Sequence, residues 1–309
     1  MTVALELAER LLQGDVRALA RACRIADDRL PGHRELASRL HAQGRAGWVL
    51  GVTGSPGVGK STLCDALVTR FRQRGERVGV VAVDPSSPFH GGALLGDRIR
   101  LQRHFEDPEV FIRSLATRGA VGGLSRSAAD VIRLVRAWGA RVTLVETVGV
   151  GQDEIEVSRS AHTTLVVLAP GLGDGVQALK AGLLETADLF AVNKADREGA
   201  ERTAADLEVA LELSARPQRP PVLRTSATQH QGLDELFVAL DEHRAWLGTP
   251  EGDERTASRE REAIQSFLRE ELGERLVLAL GQTLPAAAER VRLGELDPYA
   301  AAEELWLTR

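Results

Sequence analysis

The stretch from Trp48 to Thr62 reads WVLGVTGSPGVGKST, and it decides the predicted fold. It opens with an apolar run typical of a buried strand. Residues Gly54 to Ser61 then match G-x-x-x-x-G-K-[ST], a loop whose glycines let successive backbone N–H groups surround phosphate oxygens. The helix predicted after the loop directs the positive end of its dipole at the same point. The stretch therefore predicts a site for a nucleoside triphosphate.

Three side chains of this loop have predicted roles in binding a triphosphate. The Lys60 ammonium neutralises the β and γ phosphates, and the Ser61 hydroxyl stands where a magnesium ligand belongs. Thr62 is expected to touch the α phosphate. The alternative is a glycine-rich turn with an exposed lysine, and the flanking strand and helix argue against it. The predicted nucleotide contacts here are Gly54, Ser55, Pro56, Gly57, Val58, Gly59, Lys60, Ser61 and Thr62.

From Trp48 onward, short apolar runs alternate with longer helical stretches, a pattern typical of βαβ units. This predicts an α/β fold of the P-loop NTPase class, G-protein type, with a mostly parallel central sheet flanked by helices. Strands are predicted at 48–53, 78–83, 110–113, 142–146, 164–169, 189–193 and 222–225. Helices between them are predicted at 61–74, 125–138, 200–213 and 233–246.

Helical segments are predicted before the first strand and after the last strand in the sequence. Apolar residues at three- and four-residue spacing predict an N-terminal helical extension over 1–45. The P-loop domain is expected over 46–248, with a boundary near residues 248 to 255. The C-terminal segment, 249–309, is predicted to be helical, with an apolar stripe formed by Ile264, Phe267, Leu268 and Leu272.

The residues Asn193-Lys194-Ala195-Asp196 read N-K-x-D and predict which base is bound. A carboxylate at Asp196 accepts hydrogen bonds from the N1–H and 2-amino groups of guanine, donors that adenine does not present in that arrangement. Asn193 is expected to brace the loop, and the stem of Lys194 to cover the base. Thr225, Ser226 and Ala227 follow another strand, where a backbone N–H can bind the guanine O6. Together these residues predict a GTPase, which converts GTP to GDP and phosphate.

The predicted hydrolytic centre follows the strand 142–146, where Glu146 begins the motif E-T-V-G. Most G proteins have Asp-x-x-Gly there. Glu146 is expected to hold magnesium through a water, and the Gly149 N–H to sense the γ phosphate. Gln152 is predicted to orient the attacking water. The predicted magnesium residues are Ser61, Asp84, Asp97 and Glu146, with turn capping as the alternative role of Asp84.

Composition narrows the expected partners and compartment. Lys and Arg total 39 against 44 Asp and Glu, which leaves no basic excess for nucleic acid or an anionic membrane. Cys23 and Cys64 lack CxxC spacing, which argues against a disulfide framework or a zinc site and favours a reducing compartment. Charged residues interrupt the segment Met1 to Leu12, and no apolar stretch approaches the ~20 residues of a membrane helix. We expect a cytoplasmic protein.

Further segments form a set that generic GTPases lack. They are VDPSSP at 83–88, GGALLGDR at 91–98, TRG at 117–119, ETVGVGQ at 146–152, and Gly173-Asp174 with Gln177 and Lys180. This set resembles the MeaB/ArgK-type G-protein chaperones of adenosylcobalamin-dependent acyl-CoA mutases, and the likeness spans most of the chain. His90 and Gly175 depart from the family pattern, which commonly has a small hydroxyl residue and an acid there.

The resemblance implies a GTPase that docks on a mutase such as methylmalonyl-CoA mutase. It would gate delivery of adenosylcobalamin and help to protect or reactivate the mutase, with the mutase and its adenosyltransferase as partners that bind the cobalamin themselves. The resemblance also implies that Asp84, Asp97 and Glu146 surround the magnesium, and that 170–180 is an additional switch in which Lys180 supports hydrolysis. The C-terminal helices would form a homodimerisation arm.

Two other classes of P-loop protein are alternatives to a mutase-associated GTPase. A nickel-delivery GTPase has a similar core and requires a Cys/His metal site, which the positions of Cys23 and Cys64 do not indicate. A P-loop kinase acting on a small molecule or protein is the second alternative, and the N-K-x-D motif argues against it.

Overall fold

The apolar runs of the sequence form a seven-stranded parallel sheet in the computed structural model, in the order β3-β2-β4-β1-β5-β6-β7. Three central strands are buried along their whole length because helices cover both faces of the sheet, which explains their continuous apolar runs. The predicted α/β class with a parallel sheet is confirmed. The strands are β1 (Trp48–Thr53), β2 (Val78–Asp84), β3 (Val110–Ala116), β4 (Val142–Thr147), β5 (Thr163–Leu168), β6 (Leu189–Val192) and β7 (Val222–Arg224).

The structure describes residues 3–41, 43, 47–84, 101–116, 126–147, 160–171, 181–214, 219–281 and 283–307. The chain divides into two units, Met1–Thr256 and Ala257–Arg309. No helix among the described residues is long and apolar enough to cross a membrane.

The predicted strand at 110–113 continues to Ala116, which is the largest difference from the expected strand bounds. Arg113 and Ser114 end the apolar run in the sequence. Pairing with β2 nevertheless continues through Asp84 and Ala116. Ladder hydrogen bonds to a neighbouring strand therefore decide this boundary, and local hydrophobicity does not.

Helices of the first unit cover both faces of the sheet. Two of them, α4 and α8, share a core with alternate side chains of β1, including Leu50 and Val52. The opposite face carries α5 and the N-terminal helices. The helices in chain order are α1 (Val3–Leu12), α2 (Val16–Asp27), α3 (His33–Leu40), α4 (Lys60–Gln73), α5 (Arg126–Ala137), α6 (Ala181–Thr186), α7 (Ala200–Leu213) and α8 (Leu233–Trp246).

The N-terminal helices are part of this core. Leu11, Leu19 and Leu36 are fully or almost fully buried and belong to the same cluster as Val49 of β1. Trp138 lies just after α5, and its indole N–H donates to the Gly14 carbonyl at 3.0 Å. This hydrogen bond joins the end of α5 to the turn between α1 and α2. The predicted N-terminal helices therefore stabilise the face of the sheet opposite α4.

The C-terminal segment is helical, as predicted. Helix α9 (Pro250–Leu280) begins in the first unit and continues into the second, which also contains α10 (Thr283–Arg292) and α11 (Pro298–Leu307). Within the second unit, Arg290 of α10 donates to Glu304 of α11 at 2.7 Å. Ile264, Leu268 and Leu272 of α9 are each more than half exposed in the single chain.

Candidate nucleotide-binding site

The phosphate loop connects β1 to α4, and two of its positions accept only glycine. Gly54 has φ +139°, and a Cβ there would lie 2.1 Å from the Val167 carbonyl oxygen of β5. Gly59 has φ +94°, and a Cβ there would lie 2.5 Å from Asn193 Nδ2. Both distances are far below van der Waals contact. The loop is therefore packed against β5 and Asn193 at its two ends, which holds its shape.

Lys60 is the first residue of α4, and its side chain turns back over the loop. Its ammonium donates to the Gly54 carbonyl at 2.6 Å and to the Ser55 carbonyl at 3.0 Å, and the residue is only 5% exposed. These carbonyls hold the charge at the start of the helix, where the dipole also favours anions. The ammonium thus lies at the phosphate loop and the start of the helix, and its contact with phosphate oxygens stays a prediction.

Ser61 and Glu146 meet although they are 85 residues apart in the chain. The Ser61 hydroxyl donates to Glu146 Oε1 at 2.6 Å, and both residues are buried, at 5% and 3% exposure. A hydroxyl and a carboxylate are hard oxygen donors of the kind that magnesium prefers. The pair therefore fits the predicted magnesium role on the chemistry of its donors.

The end of β2 lies at the same edge of the sheet. Val83 pairs with Thr147, the residue after Glu146. The backbone of Asp84, the last residue of β2, therefore lies one position beyond Thr147. The Asp84 side chain lies outside the described part of the structure. The register is consistent with its predicted role near magnesium, which stays a prediction.

Asn193 joins the phosphate loop to the base-binding segments. Its Nδ2 donates to the Val58 carbonyl at 2.9 Å, and its Oδ1 accepts from the Ala227 N–H at 3.2 Å. The side chain is buried, with the residue 2% exposed. One amide therefore fixes the spacing between the phosphate loop and the segment 225–227, which is the bracing role predicted for it.

The predicted base reader, Asp196, is held by a side chain from the neighbouring loop. The Ser226 hydroxyl donates to Asp196 Oδ1 at 2.5 Å, and this hydrogen bond holds the pKa of the Asp196 carboxyl below its usual value. An ionised carboxylate only accepts hydrogen bonds, as the donors of guanine require. Lys194 has φ +57°, and its ammonium donates to the Gly57 carbonyl, so its side chain reaches from the N-K-x-D segment to the phosphate loop.

The sequence predicted a backbone contact to guanine from the segment 225–227, and it did not predict the contact of the Ser226 hydroxyl with Asp196. The two residues are 30 positions apart. They meet because β6 and β7 are neighbours in the sheet, where Val192 pairs with Arg224. The tripeptide Thr-Ser-Ala after a strand, downstream of N-K-x-D, is the signal that pointed to the segment, but it did not specify this contact.

Several predicted residues lie outside the described ranges, so their roles stay predictions. Of the segment 170–180, only Pro170 and Gly171 are described. The predicted site residues outside the described ranges are Asp97, Gly149, Gln152 and Lys180. The segments 85–98 and 117–119 and the residues His90 and Gly175, which depart from the family pattern, also lie outside these ranges.

The two cysteines lie in separate helices and are poorly suited to metal binding. Cys23 is in α2 and Cys64 in α4, and both are buried and form no disulfide. Burial raises the pKa of the Cys23 thiol to about 12, which disfavours the thiolate that binds metals. These environments do not favour the nickel-delivery alternative.

This chain is similar to known proteins in sequence and in structure. The family model described as methylmalonyl-CoA mutase-associated GTPase MeaB matches residues 19–280. A Pyrococcus abyssi protein that is predicted to be a GTPase is 43% identical over 305 residues, covering 96% of this chain and 94% of the relative. The GTPase ArgK of Escherichia coli is 38% identical over 252 residues, covering 78% of this chain and 76% of the relative.

A solved structure agrees over nearly the full length. The protein titled LAO/AO transport system kinase superposes with a TM-score of 0.74 and 28% identity. The match covers 99% of this chain and 97% of the other. The likeness therefore includes the helical segments at both ends as well as the sheet.

Proposed function

Because this chain belongs to the MeaB family of methylmalonyl-CoA mutase-associated GTPases, we propose that it couples GTP hydrolysis to the loading of an acyl-CoA mutase with adenosylcobalamin. Membership confirms the family resemblance and the GTPase activity predicted from the motifs. The coupling to a mutase rests on the family, and the observation that supports the GTP-binding part of the proposal is the Asn193 bridge between the phosphate loop and the segment 225–227. The cobalamin would stay with the mutase and its adenosyltransferase.

Hydrolysis would use the described side chains in the following way. Loop amides and Lys60 bind the β and γ phosphates, while Asp196 selects guanine. Ser61 and Glu146 would hold magnesium, and bound magnesium neutralises charge that develops on the phosphate oxygens. Asp84 and Asp97 are proposed to complete that shell, and Gln152 to orient the attacking water. The chain's own contribution is to hold these groups in place before GTP arrives.

A count of lysines supports a specific role for Lys180. Lysine and arginine total 39, and only three of them are lysines, namely Lys60, Lys180 and Lys194. Two of these, Lys60 and Lys194, belong to nucleotide motifs that specify lysine. Arginine and lysine are not interchangeable at such sites, because the guanidinium is larger and planar. In a chain that otherwise uses arginine, a third lysine supports the proposal that Lys180 also acts on phosphate.

We expect Lys180→Ala to leave the basal GTP hydrolysis rate within about twofold and to reduce the mutase-stimulated rate about tenfold. The proposed reason is that the bound mutase brings this cation, which follows the glycine-rich segment 171–175, beside the γ phosphate. The measurement is single-turnover GTP hydrolysis by wild type and variant, with and without the acyl-CoA mutase of the same organism.

Arg202→Ala is the matched control, since Arg202 is an exposed cation on α7, and it should change neither rate. Adenosylcobalamin transfer to the mutase, followed by absorbance, should stop when a non-hydrolysable GTP analogue replaces GTP. Equal acceleration of wild type and Lys180→Ala by the mutase would exclude a gated role for Lys180. A mutase that changes neither hydrolysis nor transfer would refute the coupling itself.

The C-terminal helices are proposed to form a homodimerisation arm. Ile264, Leu268 and Leu272 recur every four residues on α9 and are exposed in the single chain, as expected of a helix face that a second copy covers. The first residues of α9 belong to the first unit. There, Arg255 forms an ion pair with Asp188, and the Asp188 side chain is fully buried. A truncation that removes the arm should therefore keep Arg255.

We predict that a chain ending at Thr256 is a folded GTP-binding monomer, while the full chain is a dimer by light scattering. A matched chain ending at Glu254 lacks Arg255 and should be less stable by about 1–3 kcal/mol, because Asp188 loses a charged partner. The difference is measurable by chemical unfolding of the two truncated chains. A dimer that persists in the chain ending at Thr256 would contradict the proposed arm.

A further inference from the structure

Two threonines without an assigned role stand next to the nucleotide site. Thr53 ends β1 and is followed by the phosphate loop, and Thr147 ends β4 and follows Glu146. The Thr147 hydroxyl donates a hydrogen bond to the Thr53 hydroxyl, with 3.1 Å between the oxygens. Both residues are fully buried. The pair joins the two strand ends from which the phosphate loop and Glu146 extend.

These hydroxyls interrupt an apolar row across the sheet. Thr147 is paired with Val83 of β2, and Thr53 with Val166 of β5, and both valines are buried. Valine has nearly the same shape as threonine, whereas a buried hydroxyl costs free energy unless it is hydrogen-bonded. Packing alone would favour valine at all four positions. The hydrogen bond between the two threonines offsets this cost, and it is a contact that valine could not make.

Hydrogen bonds hold the end of β4 on both faces of the sheet. Val52 pairs with Glu146, and side chains alternate along a strand, so Glu146 and Thr147 point to opposite faces. On one face Glu146 accepts from Ser61 of α4, and on the other Thr147 donates to Thr53. The contact between the threonines thus restrains the backbone that carries the Glu146 carboxylate.

We propose that the Thr53–Thr147 hydroxyl pair is a positioning element for GTP hydrolysis, holding the end of β4 against β1 so that Glu146 keeps its place beside Ser61. This inference rests on the proposed magnesium role of Ser61 and Glu146. Catalytic groups must be held within a fraction of an ångström, and small displacements lower the rate far more than they weaken ground-state binding. The pair therefore affects kcat and the magnesium requirement, with little effect on GTP affinity.

The test uses the full chain and compares Thr147→Val with Thr147→Ser. Thr147→Val keeps the shape and removes the hydrogen bond, and we expect kcat to fall about tenfold, with a several-fold higher magnesium concentration for half-maximal rate and KM for GTP within about twofold. Thr147→Ser keeps the hydroxyl and should retain kcat within about threefold. Thr53→Val removes the same bond from the other side and should match Thr147→Val.

Thr143→Val is the matched control. Thr143 is fully buried on the same strand and face, four residues earlier, and its hydroxyl has no hydrogen-bond partner among the described residues. We expect wild-type kcat from this variant. A Thr147→Ser variant as slow as Thr147→Val, a Thr53→Val variant with wild-type kcat, or equal losses in Thr143→Val and Thr147→Val would each overturn the inference.

The double variant Thr53→Val/Thr147→Val should be no slower than either single variant, because one bond is lost in all three. Additive losses would show that the two hydroxyls act separately and would refute the pair. Wild-type turnover that is independent of magnesium would instead overturn the proposed magnesium site, and this inference with it. A magnesium-dependent wild type with an unimpaired Thr147→Val variant would overturn the hydroxyl pair alone.

Discussion

Replacement of Lys60 by alanine is expected to reduce the single-turnover rate constant of GTP hydrolysis by about 10³-fold or more. The ammonium lies over the phosphate loop, held by the Gly54 and Ser55 carbonyls at the start of α4. No other lysine occurs in the loop, so the variant has no cation to neutralise charge on the transferred phosphate. The measurement is single-turnover hydrolysis of radiolabelled GTP at saturating enzyme.

Two further variants separate charge from geometry at this position. Lys60→Arg keeps the charge, but the larger guanidinium does not fit between the loop carbonyls, so we expect almost the same loss. Arg70 lies on the same helix, and its side chain is 45% exposed. The control variant Arg70→Ala should therefore leave the rate of GTP hydrolysis within about twofold. Near-normal turnover by Lys60→Ala would mean that hydrolysis takes place at another site.

Asp196→Asn is expected to lower the affinity for GTP about 100-fold and to raise the affinity for xanthosine triphosphate. The carboxamide places a donor where guanine also presents a donor, whereas xanthine has a carbonyl at that position. The carboxamide oxygen introduced by the substitution can still accept from Ser226, so the loop should keep its conformation. Competition among GTP, xanthosine triphosphate and ATP for a fluorescent GDP analogue gives all three affinities.

Asp206→Asn makes the same chemical change at an exposed position on α7 and should alter no affinity. The same competition also tests the kinase alternative, because a site built for adenine would bind ATP in preference to GTP in the wild-type chain. Tight GTP binding by Asp196→Asn would place base recognition elsewhere in the protein.

Some features of this protein were determined by contiguous sequence. A phosphate loop binds phosphate through its backbone amides and the start of the helix that follows it. The residues Gly54 to Ser61 were therefore enough to predict a phosphate-binding site. The N-K-x-D motif likewise places its base reader within four residues. Continuous apolar runs indicated buried parallel strands, since both faces of the sheet are covered. Each of these features depends on residues close together in the chain.

Other features were decided by the tertiary structure, because they join residues far apart in the chain. Ser61 reaches Glu146 only because β4 is inserted between β1 and β2. The Asn193 bridge to Val58 spans 135 residues and depends on the order β1-β5-β6. No periodicity specifies strand order, which follows from how helices and strands pack on both faces of the sheet. The motifs therefore predicted the ligand, and the strand order determined which side chains come together at the predicted site.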